Sequence, residues 1–161
     1  MSDSIKKKLK AVFRGIKIST GKNGRLVVTA LPDNAWDVLK SLKDEGYIHL
    51  ALISCVDWID THKFELVYVL SSYFANEHII LKINIPRKNA NFKTVTDIFE
   101  NAEPYEREIH ELFGIHFEGH PRQIPLFLER DYAIPPFRKD FNTREYVKQY
   151  FDEIPFVEEN R

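Results

Sequence analysis

The sequence predicts an α+β fold, in which a mixed or mainly antiparallel sheet carries helices on one face and an extended, proline-rich C-terminal segment follows. Three β-rich runs at residues 47–56, 63–72 and 78–86 are joined by short polar connections, which is typical of antiparallel strands. Apolar residues recur at helical spacing near both ends of the chain and before the first of these runs. Five of the eight prolines follow Phe117, which favours extended backbone there.

Two short elements are predicted before the sheet. Ile5 and Leu9 begin an amphipathic helix after the possible caps Ser2 and Asp3, and lysines occupy its opposite face. That basic face could meet anionic lipid or an acidic partner, although a solvated helix face is the favoured interpretation. Two β-rich runs around residues 21–24 then predict a hairpin.

The next helix and the last strand indicate how the layers pack. We expect Asp33 or Asn34 to cap a second helix, and Gly46 suits its left-handed stop. In the run at residues 78–86, aliphatic residues at alternate positions form one wholly apolar face, while the other face is mixed. This alternation predicts a sheet with helices on one side.

Two further helices are predicted after the sheet. The third begins near Pro104, which suits a first helical turn, and ends at Gly114. Its apolar stripe faces the core, while Arg107 and Glu111 are predicted to pair on the outside at four-residue spacing. Thr143 is expected to cap a last short amphipathic helix.

The composition describes one ordinary globular domain. The chain has 161 residues, of which 43% are hydrophobic and 29% charged, so we expect one α+β domain at residues 1–141 and an extension with a short helix at residues 142–161. A net charge of -1 argues against nucleic acid as a partner. No run approaches the roughly 20 apolar residues that span a bilayer, and no signal peptide is recognisable. We expect a chain that stays in the cytoplasm or at the cytoplasmic face of the membrane.

Catalytic and metal sites find little support. Cys55, the single cysteine, cannot form an internal disulfide or hold an iron–sulfur cluster, and its apolar surroundings indicate a small buried residue. HELFG begins like the zinc motif H-E-x-x-H, but Gly114 replaces the second histidine. His110, His116 and His120 could still converge on a metal, so a free-standing metal-dependent enzyme is kept as an alternative of another class.

The remaining charged residues admit structural interpretations. The acids at 106, 108 and 111 could form catalytic pairs, but a favourable interaction with the helix dipole and exposure to water is the simpler explanation. The RKD stretch at residues 138–140 lies between prolines and phenylalanines. It could be a solvated loop or a contact with a partner, and in the second case the fold is expected not to depend on its charges.

A family resemblance favours the partner contact. The segments VDWI, FELVYVLSS, VTDIF, YEREIHELFGIHFEGHP and PPFRKDF occur in the order and spacing found in the 30 kDa subunit of respiratory complex I, an NADH:quinone oxidoreductase. The chain resembles this family over residues 52–141. The resemblance implies an α/β fold with a mixed or antiparallel sheet and a place in the peripheral arm of a respiratory complex.

The resemblance also implies partners and site residues. Members bind no cofactor of their own; iron–sulfur clusters and possibly a nickel–iron site belong to partner subunits. They dock on a large catalytic subunit of the 49 kDa or hydrogenase type and lie near iron–sulfur subunits, with indirect membrane contact and no catalytic residues. The implied partner-interface and fold-defining positions are Glu106, Arg107, Glu108, Phe113, Gly114, Gly119, His120, Pro121, Arg138, Lys139 and Asp140.

Departures from the complex I pattern favour one branch of the family. Pro104 stands where complex I members usually have tryptophan, and the segments RQIPLFLERD and YAIPPFRKDF also differ from theirs. These changes resemble the homologous subunits of energy-converting [NiFe] hydrogenases and related sulfur-reducing complexes. We therefore expect a structural and assembly subunit of an ion-translocating, membrane-bound oxidoreductase of that branch, with NADH:quinone oxidoreductase proper as the alternative.

Overall fold

A computed structural model describes residues 2–21, 24–129 and 132–150, with the side chains of Ser2 and Asp3 outside that description, so their predicted capping role lies outside it too. The elements, in chain order, are α1 (Ser2–Val12), β1 (Lys17–Thr20), β2 (Leu26–Ala30), α2 (Pro32–Asp44), β3 (His49–Trp58), a 3₁₀ turn (Ile59–Thr61), β4 (Lys63–Ser72), β5 (Glu77–Pro86), β6 (Asn91–Lys93), α3 (Ala102–Phe113), β7 (His116–Glu118) and α4 (Thr143–Tyr150).

The main sheet has five strands in the order β1-β2-β5-β4-β3. The predicted hairpin β1–β2 and the pairs β3–β4 and β4–β5 are antiparallel. The pair β2–β5 is parallel, with Leu26 opposite Ile79. The sheet is therefore mixed and mainly antiparallel, and the predicted fold class is confirmed. A second, two-stranded sheet joins β6 to β7 in parallel and was not predicted.

One side of the main sheet forms the core. Residues at alternate positions along β4 and β5 are fully buried, as the alternation in β5 predicts. The helix α2 lies against β2 and β5, and α3 lies against β3. The buried side chains of α1, α2 and α3 join one continuous apolar cluster with this side of the sheet. Cys55 belongs to the cluster, and its burial raises the pKa of the thiol, so the prediction of a small buried residue is confirmed.

Two predicted caps are wrong. The helix α2 begins at Pro32 with Leu31 before it and without a side-chain cap. Asn34 lies inside the helix, and its amide donates to the carbonyl oxygen of Arg14 at 2.8 Å. At α4, the Asn142 side chain accepts the backbone N–H of Glu145 at 3.2 Å, so the capping oxygen comes one residue before Thr143. The predicted continuation of this helix, and the rest of the extension, at residues 151–161 lie outside the described residues.

Candidate docking surface

The helix α3 buries a carboxylic acid on its core-facing stripe. Glu106 is 0% exposed and lies among the buried residues of the helix with Ile109 and Leu112. Its carboxyl group accepts the Val95 N–H at 2.7 Å and the Thr94 hydroxyl at 2.5 Å. Burial raises the pKa of Glu106 to about 7, although both hydrogen bonds favour the charged form. The expectation that this acid is exposed to water is therefore wrong.

The neighbouring charged residues of α3 hold a segment that returns along the helix. Arg107 donates to the carbonyl oxygens of Ile124 and Pro125, each at 3.0 Å, and to the Glu103 carboxylate at 3.2 Å. The predicted ion pair between Arg107 and Glu111 is wrong: Arg107 pairs with Glu103 instead, and residues 124–128 supply its other partners and those of Glu111. This segment covers the face of α3 that the sequence pattern assigns to solvent.

Glu111 binds the same segment through its backbone donors. Its carboxylate accepts the N–H groups of three consecutive residues, Leu126, Phe127 and Leu128. A carboxylate that receives several backbone N–H groups is held in one orientation and in turn fixes the chain that it binds. Arg107 therefore binds carbonyl groups of the segment, and Glu111 binds its amide groups.

Two histidines near α3 form hydrogen bonds with backbone groups of the adjacent turns. His110 Nδ1 lies 2.9 Å from the Ile115 carbonyl oxygen. His120 Nδ1 accepts the Arg122 N–H at 3.1 Å, which leaves Nε2 to donate to the Glu103 carbonyl oxygen at 3.2 Å. His116 is exposed on β7. Within residues 4–21, 24–129 and 132–150, no group of three His, Cys, Asp or Glu side chains could hold a metal ion, so the metal-enzyme alternative has no site there.

A glycine and an arginine close the end of α3. The backbone of Gly114 adopts the left-handed conformation, with φ +73°, and Gly114 ends the helix as predicted. Arg138 Nε donates to the Phe113 carbonyl oxygen at 2.6 Å, and its guanidinium lies 5.3 Å from the centre of the Phe64 ring. Burial and the nearby Arg87 lower the pKa of Arg138. Arg138 thus satisfies a terminal carbonyl group of the helix, which is a contact within the chain.

The rest of the RKD stretch joins an ion network on the sheet. Arg87 donates to both carboxylate oxygens of Asp57, at 2.9 and 3.2 Å, and also to Asp140. The hydrogen bond from Arg87 lowers the pKa of Asp140. The Lys139 backbone N–H donates to Asp57 at 2.9 Å, while its side chain stays exposed, with Nζ 5.8 Å from the centre of the Trp58 ring. Arg138 and Asp140 thus make contacts within the chain, and the expectation that the fold does not depend on the charges of Arg138 and Lys139 stays a prediction.

Large apolar side chains are exposed on the segments that Glu111, Arg107 and the RKD stretch hold in place. Phe127 is 65% exposed and Phe137 is 59% exposed. Phe137 packs edge-on against Phe113 and donates its N–H to the Leu112 carbonyl oxygen at 3.0 Å, so it is fixed at the end of α3. We refer to the exposed large apolar side chains of these segments, together with Trp58 near Lys139, as the α3 patch: Trp58, Ile124, Phe127, Ile134 and Phe137.

The predicted interface residues separate into two groups in the structure. Most have roles within the chain: Glu106 and His120 tie α3 to neighbouring turns, and Arg138 meets Gly114. Others remain accessible: Lys139, Gly119 and Pro121 are exposed, and Glu108 is half-buried without a hydrogen bond or ion pair to another described residue.

Sequence reasoning missed the residues that hold the apolar segments. Asp57 and Arg87 are 30 positions apart, and Glu111 and Phe127 are 16 positions apart, so no local spacing indicates either pair. The sequence gives some indication that Phe127 and Phe137 are exposed. Both lie in the proline-rich part of the chain, where no helical or strand periodicity assigns them to the core.

None of the helices within the described residues combines the length and the apolar character that a transmembrane helix needs.

Known proteins match this chain over most of its length. The family model described as "Respiratory-chain NADH dehydrogenase, 30 Kd subunit" matches residues 28–147. An NADH-quinone oxidoreductase subunit from Rhodobacter capsulatus is 31% identical over 81% of this chain and 67% of its own length. An F(420)H(2) dehydrogenase subunit from Methanosarcina mazei is 37% identical over 68% of this chain and 70% of its own length.

A solved structure matches nearly the whole chain. It is a chain of the membrane-bound sulfane sulfur reductase, described as an archaeal respiratory membrane complex, and it is 29% identical with a TM-score of 0.86. The match covers 99% of this chain and 96% of that one. By contrast, this chain spans between 45% and 67% of the length of three NADH-quinone oxidoreductase subunits.

Proposed function

This chain belongs to the 30 kDa subunit family of the respiratory-chain NADH dehydrogenase, and from that premise we propose that it is a structural and assembly subunit of a membrane-bound respiratory oxidoreductase. The proposed role is to dock on the large catalytic subunit of the complex, at the cytoplasmic side of the membrane, with no cofactor of its own. Iron–sulfur clusters and a nickel–iron site, where the complex has them, would belong to its partners.

One observation carries this proposal: the α3 patch exposes large apolar side chains on backbone that is fixed from within the chain. An exposed phenylalanine on a mobile loop loses conformational freedom when it binds, whereas one on a held segment has lost much of it already. Phe137 is held by the Leu112 carbonyl group and by the Phe113 ring. Aromatic side chains are also enriched at the centres of protein interfaces. The patch therefore has the properties of a preorganised protein-binding surface.

We favour the sulfur-reducing and hydrogenase branch of the family for this chain. The match to the sulfane sulfur reductase chain supports that choice, since it covers 99% of this chain with a TM-score of 0.86. The alternative is an NADH:quinone oxidoreductase proper, which the Rhodobacter capsulatus relative supports. An F(420)H(2)-linked complex is a further variant, given the Methanosarcina mazei relative.

Co-purification tests the proposal and separates the branches. A tagged full-length chain is recovered from detergent-solubilised membranes of the cells that produce it, and the co-purified subunits are identified by mass spectrometry. A nickel–iron-type large subunit without a flavin subunit is expected for the favoured branch, and a flavin subunit that oxidises NADH would assign the chain to the alternative. Recovery of the chain without any redox subunit would refute the assembly role.

A further inference from the structure

The segment at residues 124–128, IPLFL, turns the polar groups of its backbone toward α3 and leaves three of its five side chains exposed. Ile124 is 42% exposed and Phe127 is 65% exposed, and Pro125 between them is exposed as well. Leu126 and Leu128 are half-buried. A run of five apolar residues normally buries its side chains, while its backbone forms hydrogen bonds within a helix or a sheet. The exposed side chains of this segment therefore require an explanation.

The cause is the charged face of α3, which takes up the backbone hydrogen bonds of the segment. Glu111 accepts the N–H groups of residues 126, 127 and 128. The Ile124 N–H donates to the Arg122 carbonyl oxygen at 3.0 Å, and Pro125 has no N–H group. Every backbone donor of the segment is therefore satisfied within the chain. With its polar edge against the helix, the segment leaves Ile124 and Phe127 toward solvent.

This arrangement limits how a partner can recognise the segment. Because no backbone N–H of residues 124–128 is free, a partner strand cannot pair with it through the usual ladder of hydrogen bonds. The charges of Arg107 and Glu111 already face the segment and its neighbours. Recognition of the segment therefore depends on its apolar side chains, and above all on Phe127, which is more exposed than Ile124.

The flanking charges distinguish a protein partner from a lipid surface. Glu108 on α3 and Glu129 after the segment have no hydrogen bond or ion pair with another described residue. Arg122, two residues before the segment, is exposed and basic. Binding to anionic lipid needs a cluster of lysines and arginines beside the apolar residues, which the described flanks do not provide. The carboxylates of Glu108 and Glu129, which have no partner among the described residues, instead suit basic residues around a pocket.

We propose that residues 124–128 form a dedicated recognition segment, which inserts Phe127 into an apolar pocket on a partner subunit whose rim is basic and pairs with Glu108 and Glu129. This inference rests on the proposed assembly role and specifies the surface that performs it. Arg107 and Glu111 act as positioning residues, because they hold the segment and are shielded by it. The segment presents its apolar side chains by construction, before any partner is present.

The experiment compares two phenylalanines that are both exposed. Phe127→Ala removes the proposed anchor, and Phe74→Ala is the matched control, since Phe74 is 90% exposed in the connection between β4 and β5. Neither side chain supports the core, so both variants are expected to fold with unchanged circular dichroism. Each tagged full-length variant is recovered from solubilised membranes, and the large redox subunit is quantified by mass spectrometry relative to wild type.

The expected result is at least a tenfold loss of the large subunit with Phe127→Ala and unchanged recovery with Phe74→Ala. Glu108→Lys combined with Glu129→Lys should also reduce recovery, because like charges would then meet at the rim. Unchanged recovery with Phe127→Ala, or equal losses with both alanine variants, would overturn the recognition segment while leaving the assembly role standing. If wild type itself recovers no redox subunit, the assembly role fails first.

Two further measurements assign the occupant. Flotation with vesicles of phosphatidylcholine and phosphatidylglycerol that depends on Phe127 would overturn the protein pocket in favour of lipid. Light scattering that shows a dimer for wild type and a monomer for Phe127→Ala would overturn it in favour of a second copy of the chain. A monomer that does not float with the vesicles supports the protein partner.

Discussion

Replacing Gly114 by alanine tests how the C-terminal segment is fastened to α3. Gly114 has φ +73, a conformation that costs an alanine about 1 kcal/mol relative to glycine. A Cβ atom at this position would also lie 2.9 Å from Pro135 Cγ and 2.9 Å from the Arg138 guanidinium, closer than side chains are found. The arginine must therefore move, and its 2.6 Å hydrogen bond to the Phe113 carbonyl group must weaken.

The structure supplies both the magnitude and the control. A hydrogen bond from a charged donor contributes about 1.5 kcal/mol at the low end of its range, which suits a half-buried arginine. Together with the backbone term, Gly114→Ala should lower the free energy of unfolding by roughly 2.5 kcal/mol. Gly24→Ala is the matched control, because Gly24 has φ +74 and the added Cβ has no atom of the described part of the chain within 4 Å, so it should cost only about 1 kcal/mol.

Thermal and urea unfolding of the two variants beside wild type measures the difference. For a chain of this length, about 1 kcal/mol corresponds to a change in Tm of roughly 2–4 °C, so Gly114→Ala should lower Tm by about 5–10 °C and Gly24→Ala by about 2–4 °C. Equal losses of stability in the two variants would refute the reasoning, since the contact with Pro135 and Arg138 would then contribute nothing beyond the backbone strain.

Three further outcomes follow from the buried polar groups. Folding raises the pKa of Glu106 from about 4.5 to about 7, so the folded state binds the carboxyl proton more tightly than the unfolded state does. The protonated carboxyl group therefore contributes its full stabilisation below pH 4.5, and up to about 3 kcal/mol is lost as the pH rises through 7. Glu106→Gln should remove this pH dependence in urea titrations at several pH values, and a dependence that persists would contradict the assignment. Asp57→Ala should cost about 3 kcal/mol in the same assay, because Arg87 loses a two-point partner while Asp57 is itself 2% exposed in its side chain, and a loss below 1 kcal/mol would show that the network adds little. Elemental analysis of the chain purified without chelator should find no stoichiometric zinc, nickel or iron, because His120 uses both ring nitrogens in backbone hydrogen bonds; a stoichiometric metal would favour the metal-enzyme alternative.

The elements of this fold are encoded locally and were predictable for that reason. The alternation of β5 and the spacing of apolar residues on α3 depend on neighbours within a few positions, and both appear in the structure where the sequence places them. Gly114 ends its helix because its own backbone adopts the left-handed conformation, which requires no contact with a distant part of the chain. The family motifs are local runs of the same kind, and the family that they indicate is confirmed by the match to residues 28–147.

The partners of charged and polar side chains depended on segments far along the chain. The charge of a glutamate predicts a place on the outside of a helix, but Glu106 lies inside, where the Val95 amide and the Thr94 hydroxyl donate to its carboxyl group. Arg107 and Glu111 satisfy the spacing rule for an ion pair, yet the segment at residues 124–128 offers each of them better-placed backbone groups.

The same limit applies to the parallel pairing of β2 with β5 and to the candidate docking surface. The sequence by itself determined the four helices, the strands of the main sheet and which family the chain resembles. Only the tertiary structure decided that β2 lies beside β5, that Asp57 meets Arg87, and that Phe127 points outward. Backbone propensity is set by adjacent residues, whereas a polar group takes whichever partner the folded chain brings within about 3 Å of it, and that partner has no fixed distance in sequence.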